Sequence, residues 1–175
     1  MNSKLISLFA AVCAFSATAW AANPSAAGRV NVNFDHPENF TDVKDSFGGD
    51  SASSPYLEDF RQYIEKTATR FLSEGQKLTV TFTDIDLAGD FEPWRGPRTQ
   101  DTRIIKSIYI PRLKFDYQVT DASGAVVKEG HANLTDLNFQ EDLPVTIDSG
   151  EPLRYEKRLL SDWFHDTLKE PKKKK

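Results

Sequence analysis

Residues 78–97 read LTVTFTDIDLAGDFEPWRGP, and the change of pattern inside this stretch decides the fold. Leu78, Val80 and Phe82 alternate with Thr79, Thr81 and Thr83, the period of a half-buried strand of high β-propensity. At Asp84 the phase breaks, and Ile85 and Leu87 take over the apolar role from the even positions. A bulge or the end of the strand explains such a shift. Residues 83–97 then run from strand into a loop punctuated by Pro and Gly. That loop carries four carboxylates (Asp84, Asp86, Asp90 and Glu92) together with Trp94 and Arg95.

Working outward, the segment before this strand reads as a helix. Ser54 is a good N-cap and Pro55 suits the first helical position. Leu57, Phe60, Ile64, Ala68 and Phe71 recur at spacings of three and four, and Gly75 supplies a left-handed stop. Further upstream, Val30, Val32 and Phe34 alternate with Asn31 and Asn33 as a strand, which His36-Pro37 ends. Residues 40–54 form a polar loop, loosest at Gly48-Gly49.

Downstream, residues 104–119 read as one long strand. Ile104, Ile108 and Ile110 share one parity and Leu113, Phe115, Tyr117 and Val119 the other, so a bend is expected at Pro111. Asp121-Ala-Ser-Gly124 predicts a hairpin turn, and residues 125–134 pair back on the third strand. Gly130 and Ala132 there suggest a neighbour at close range. After a loop over 138–149, a last helix begins near Pro152. Leu153, Leu160, Trp163, Phe164 and Leu168 form its apolar face, with Leu159 beside it. Arg154, Glu156, Lys157, Arg158, Asp162 and Asp166 are assigned to its wet side. The order is strand, helix, three strands, helix, with no internal repeat. A right-handed crossover makes the first two strands parallel. The expected fold is α+β: a two-layer sandwich with a small mixed four-stranded sheet (β-α-β-β-β-α order) and two helices on one face.

The ends carry other information. Lys4, the apolar run 5–17 and Ala19-Trp20-Ala21 have the form of a signal peptide cleaved after residue 21. Val12 stands where a lipidated Cys13 would need a small residue, so a soluble exported protein is expected. Residues 22–29 are a flexible leader, 30–169 a single domain and 170–175 a disordered Lys-rich tail. Cleavage removes the only Cys and the only Met, so no disulfide or thiol chemistry is available to the mature chain. Of the 22 basic residues Lys4 is lost, leaving 21 against 26 acidic ones, a net charge of −5. That balance argues against nucleic-acid binding. Lys172, Lys173, Lys174 and Lys175 read as a solvated end, or as a weak contact with an anionic surface.

The chemistry in the chain is concentrated in the acid loop. Asp84 and Asp86 are two apart on an extended chain and face the same way. Such neighbours repel unless a cation or hydrogen-bond donors intervene. The spacing Asp84, Asp86, Gly89, Asp90, Glu92 approaches that of a calcium loop, but Ala88 replaces one ligand and Arg95 stands where the bidentate Glu belongs. The plainer expectation is neutralisation by Arg95, Arg98 and Arg103, with no metal and no cofactor. Trp94 is expected to plug the end of the core, with Arg95 capping carbonyls or pairing with Asp84 or Asp86. As the alternative, Trp94 and Arg95 form a ligand platform. No nucleophile elbow, zinc motif or phosphate loop is present. His36, His131 and His165 lack ligand spacing.

Three stretches also carry a resemblance: Val32-Asn-Phe34 with Asn39-Phe-Thr-Asp42-Val; Thr83-Asp-Ile-Asp86-Leu-Ala-Gly89 with Glu92-Pro-Trp94-Arg95-Gly-Pro97; and residues 150–164, from Gly150-Glu-Pro-Leu-Arg154 to Trp163-Phe164. In these the chain resembles the exported bacterial proteins grouped as domain of unknown function 3016. The resemblance implies an exported, periplasmic, single-domain protein. It implies no activity and lends no site residues.

The expected function is a non-enzymatic binding or envelope-accessory module using the Asp84–Pro97 loop, its partner an envelope protein or a small ligand. The alternatives are a hydrolase or metal-assisted enzyme using Asp84, Asp86 and His131, with Asp90 and Glu92 as further acid groups, and a calcium-stabilised module with Asp84, Asp86, Asp90 and Glu92 as ligands.

Overall fold

The structure, a computed structural model, describes residues 28–44, 51–96, 102–141, 151 and 153–169. The expected signal peptide, most of the leader, Gly48-Gly49, Pro97, Arg98, Pro152 and the Lys tail lie outside the described residues. The elements are β1 (Val30–Phe34), α1 (Pro55–Ala68), β2 (Lys77–Asp86), β3 (Asp90–Phe91), β4 (Arg103–Ile104), β5 (Arg112–Thr120), β6 (Val126–Thr135) and α2 (Arg154–Trp163). One π turn, Phe164–Leu168, extends α2.

The main sheet has the order β1-β2-β5-β6, with β1 parallel to β2 and the other pairs antiparallel. Phe82 and Phe115 are neighbours on one face, their rings 5.1 Å apart. Phe60 of α1 lies 5.8 Å from the Phe82 ring, and Trp163 of α2 lies 4.9 Å from Phe115. Both helices therefore cover the same face, giving the α+β two-layer sandwich. Each fully buried aromatic there contributes about 1.5–3 kcal/mol relative to an exposed one. The opposite face of the sheet is polar, as in antiparallel sheets solvated on one side.

Local signals act as their chemistry requires. The Ser54 hydroxyl accepts a hydrogen bond from the Tyr56 N–H (3.3 Å), capping α1 with Pro55 at its first position. The helix ends at Ala68, earlier than Gly75 suggests, because Thr69–Phe71 tightens into a 3-10 turn. Gly130 lies under the Tyr117 ring, where an added Cβ would meet the Tyr117 hydroxyl at 3.0 Å. That ring is the close neighbour its small size suggests.

The expected long strand over 104–119 does not exist as one element. Arg103–Ile104 pairs with Asp90–Phe91 in a separate two-stranded sheet, and only Arg112–Thr120 joins the main sheet. Of the first parity only Ile104 is in a strand, Ile108 and Ile110 lying in the connection to β5, which carries the whole second parity. Glu156, assigned to the wet side of α2, is buried. Its position explains this: Leu153, Glu156, Leu160 and Trp163 follow one another at spacings of three, four and three. Among the described residues no helix is long and apolar enough to cross a membrane.

Candidate functional site

The acid loop is built on a bulge. Phe82 pairs with Phe115 but Asp84 pairs with Lys114, so Thr83 is the extra residue. Its hydroxyl donates to the Lys114 carbonyl (3.3 Å). The shift keeps both Phe82 and Ile85 fully buried while Asp84 and Asp86 face away from the helices.

Each carboxylate then meets its own partners. Asp84 accepts from the Thr41 N–H and hydroxyl (both 2.9 Å) and from the Lys114 ammonium (2.9 Å). Burial opposes its ionisation, but the Thr41 N–H, Lys114 and the Thr41 hydroxyl prevail and hold its pKa below the usual value. Asp86 lies 3.6 Å from Arg112. Its pKa is raised, first by burial, with Arg112 opposing and Asp42 and Asp84 adding repulsion. Asp90 accepts from the N–H of Phe91 (2.7 Å).

Past Asp86 the chain turns at Gly89 (φ 82°), where a Cβ would sit 2.8 Å from the Ile104 carbonyl oxygen. Only glycine fits between β2 and the small sheet. Arg103 fastens that sheet to the body. Its guanidinium grips Asp42 with two hydrogen bonds (2.6 and 3.1 Å), donates to the carbonyls of Gly89 (2.9 Å) and Lys44 (3.1 Å), and lies 4.7 Å over the Phe91 ring.

Glu92 closes the far end of this lobe. Its side chain is covered by the groups it binds: the Lys106 ammonium, the Tyr109 hydroxyl (2.9 Å) and the Arg95 guanidinium. The hydrogen bond from Lys106 is the main cause of its lowered pKa; desolvation opposes it, and Tyr109 and Arg95 add to the lowering. Arg95 thus pairs with Glu92, not with Asp84 or Asp86. Trp94 does not plug the core: it is 72% exposed, because Glu92 takes the inward position of the turn Pro93–Arg95. The end of the core is closed by Ala88, Phe139 and Tyr155, with Ile105 and Ile110 against them.

The cations paired with these acids are Lys114, Arg112, Lys106 and Arg95, while Arg103 binds Asp42 and adds a favourable charge to Asp86. Asp84, Asp86 and His131 line no common cleft. Asp86 opens on the hollow beside Asp42, Asp90 and Arg112, whereas His131 Nδ1 lies 2.8 Å from Asp116 on the open sheet face. Among the described residues no group of three or more His, Cys, Asp or Glu could hold a metal ion.

The buried Glu156 was not singled out from the sequence. Its Oε1 accepts from the Ala88 N–H (2.6 Å), tying α2 to the segment after β2. Desolvation raises its pKa, against the opposing pull of the Ala88 N–H.

The model of the family described as protein of unknown function (DUF3016) matches residues 28–166, well over half of the chain, and the protein belongs to that family. No curated protein and no solved structure matches it.

Proposed function

We propose that the protein is a non-enzymatic binding module, exported to the periplasm, that meets an envelope protein through the tip of the lobe around Trp94. The observation that carries this reading is the exposure of Trp94 on a fastened scaffold. A large indole left 72% exposed at the end of a turn held by the Glu92 network has the character of a contact residue. Ile108, also 72% exposed, belongs to the neighbouring turn, which Lys106 and Tyr109 tie to the same carboxylate. Rigid apolar groups lose little conformational freedom on binding. Asp84, Asp86 and Glu92 are engaged by cations of this chain, which supports contact over turnover. Residues 1–21, with the pattern of a cleavable signal, support export.

The test is capture of partners from a cell-envelope extract by the intact protein, Trp94→Ala, Ile108→Ser and Arg95→Ala. The two apolar changes are expected to lose a specific partner and Arg95→Ala to weaken its capture. An unchanged partner list from variants that melt like the parent would remove the lobe tip from consideration.

A further inference from the structure

The two edges of the main sheet are treated differently. On β1 the edge is short, five residues, and the Arg61 guanidinium of α1 occupies its Val32 carbonyl (2.7 Å). On β6 the edge is ten residues long, contains no Pro, and is exposed at positions 126–131, 133 and 135. Natural sheets guard such an edge with bulges and inward-pointing charges. β6 has both, but only near the hairpin. Val127 is skipped in the register between Val119 and Thr120, and Lys128 turns across to the Thr167 carbonyl. From 129 to 135 neither device is present. Among the described residues no side chain and no further strand bonds the backbone of that run on its free side.

The direction of the free groups follows from the ladder. The Leu78 N–H donates to the Arg29 carbonyl, so the even residues of β2 face β1 before the bulge and Thr79 and Thr81 face β5. Their partners Gln118 and Asp116 face β2, leaving Tyr117 and Phe115 to bond Gly130 and Ala132 of β6. Glu129, His131, Asn133 and Thr135 therefore present their N–H and C=O groups outward.

We infer that residues 129–135 pair antiparallel with the same residues of a second copy, about a twofold axis at Ala132, to make a continuous eight-stranded sheet. In this register Glu129 faces the partner's Thr135 and His131 faces the partner's Asn133, so no like charges oppose each other. On the helix side Leu134, which is partly buried, lies across from the partner's Gly130, and Ala132 meets the partner's Ala132. Small residues there let the two backbones approach. The side-chain pairs are the same read from either copy, as a twofold interface requires.

Sedimentation velocity of the intact protein over a concentration series tests the pairing. A reversible monomer–dimer equilibrium is expected. Asn133→Pro removes an outward N–H and leaves the bonds to β5 in place, so it should melt near the parent temperature yet sediment as a monomer. Thr135→Glu places a carboxylate against the partner's Glu129 and should weaken the dimer several-fold, while Thr135→Lys should tighten it. A monomer at every concentration overturns the inference. So does a dimer indifferent to Asn133→Pro and to the sign of the charge at 135.

Discussion

Glu92 and Glu156 are almost equally hidden from solvent, 1% and 2% exposed, yet their surroundings drive their ionisation in opposite directions. Glu92 is roofed by an ammonium, a guanidinium and a phenol, and its pKa falls. On the buried side of α2, desolvation raises the pKa of Glu156 against the opposing pull of the Ala88 N–H and the Arg103 charge. Burial alone therefore does not set the state of a carboxyl; the donors that replace water do. One glutamate assembles a lobe from charged groups. The other pins a helix to the segment after β2 against the cost of its own desolvation.

Arg103 binds Asp42 and the segment beside the small sheet, and its removal should give the largest effect. It grips Asp42, fastens the small sheet and contributes a favourable charge to Glu156. Arg103→Ala leaves Asp42 without its partner, and loss of one member of a largely buried pair costs about 3 kcal/mol or more. Thermal melting should show a fall of roughly 10 °C. A change of only a degree or two would mean that the Arg103–Asp42 pair does not hold the small sheet to the body.

The next effect separates acceptor from charge at Glu156. Glu156→Leu strands the Ala88 N–H and should cost about 1–3 kcal/mol. Glu156→Gln keeps an acceptor and removes the ionisation. Because the folded pKa is raised, the unfolded chain releases this proton first. The contribution of Glu156 is thus whole below its ordinary value of about 4.3 and is lost as pH rises towards the folded value. Denaturant titrations should show the parent losing ground to Glu156→Gln as pH increases through that window. Parallel curves would contradict a raised pKa at Glu156.

Glu92 should show the opposite sign. Its lowered pKa makes its contribution present above the ordinary value and lost as pH falls through the folded one. Glu92→Gln should flatten the acid limb of the stability curve, and the global change is expected to be smaller than at Glu156. The clearer readout is local: hydrogen exchange should speed up over 93–96 and 106–109, which Glu92 ties together. Unchanged exchange there would mean the lobe is held elsewhere.

Much of the fold could be read from periodicity. The alternation at Leu78, Val80 and Phe82, the phase break at Asp84 and the stripe from Leu57 to Ala68 each reported one element directly, because each packs against the same continuous core. The small sheet could not be read this way. Two strands of two residues have no period, and Arg103 declares itself only when Asp42 is brought to it. Hydropathy puts Trp94 inside and Glu92 outside, and the three groups that invert this, at 95, 106 and 109, come from turns without a pattern. Glu156 was legible from its place between Leu153 and Leu160, but its charge outweighed its spacing in the reading.

The smallest expected effect isolates Trp94. Its neighbours Glu92 and Arg95 hold the turn, and the indole itself is in solvent, so Trp94→Ala should alter stability by no more than about 0.5 kcal/mol. The melting curve should overlay that of the parent, and the acid limb governed by Glu92 should be unchanged. A loss above about 2 kcal/mol would place the indole within the packed structure and turn the lobe from a contact surface into a structural seal. With stability unaltered, any partner lost by the variant is lost through the indole's own contact.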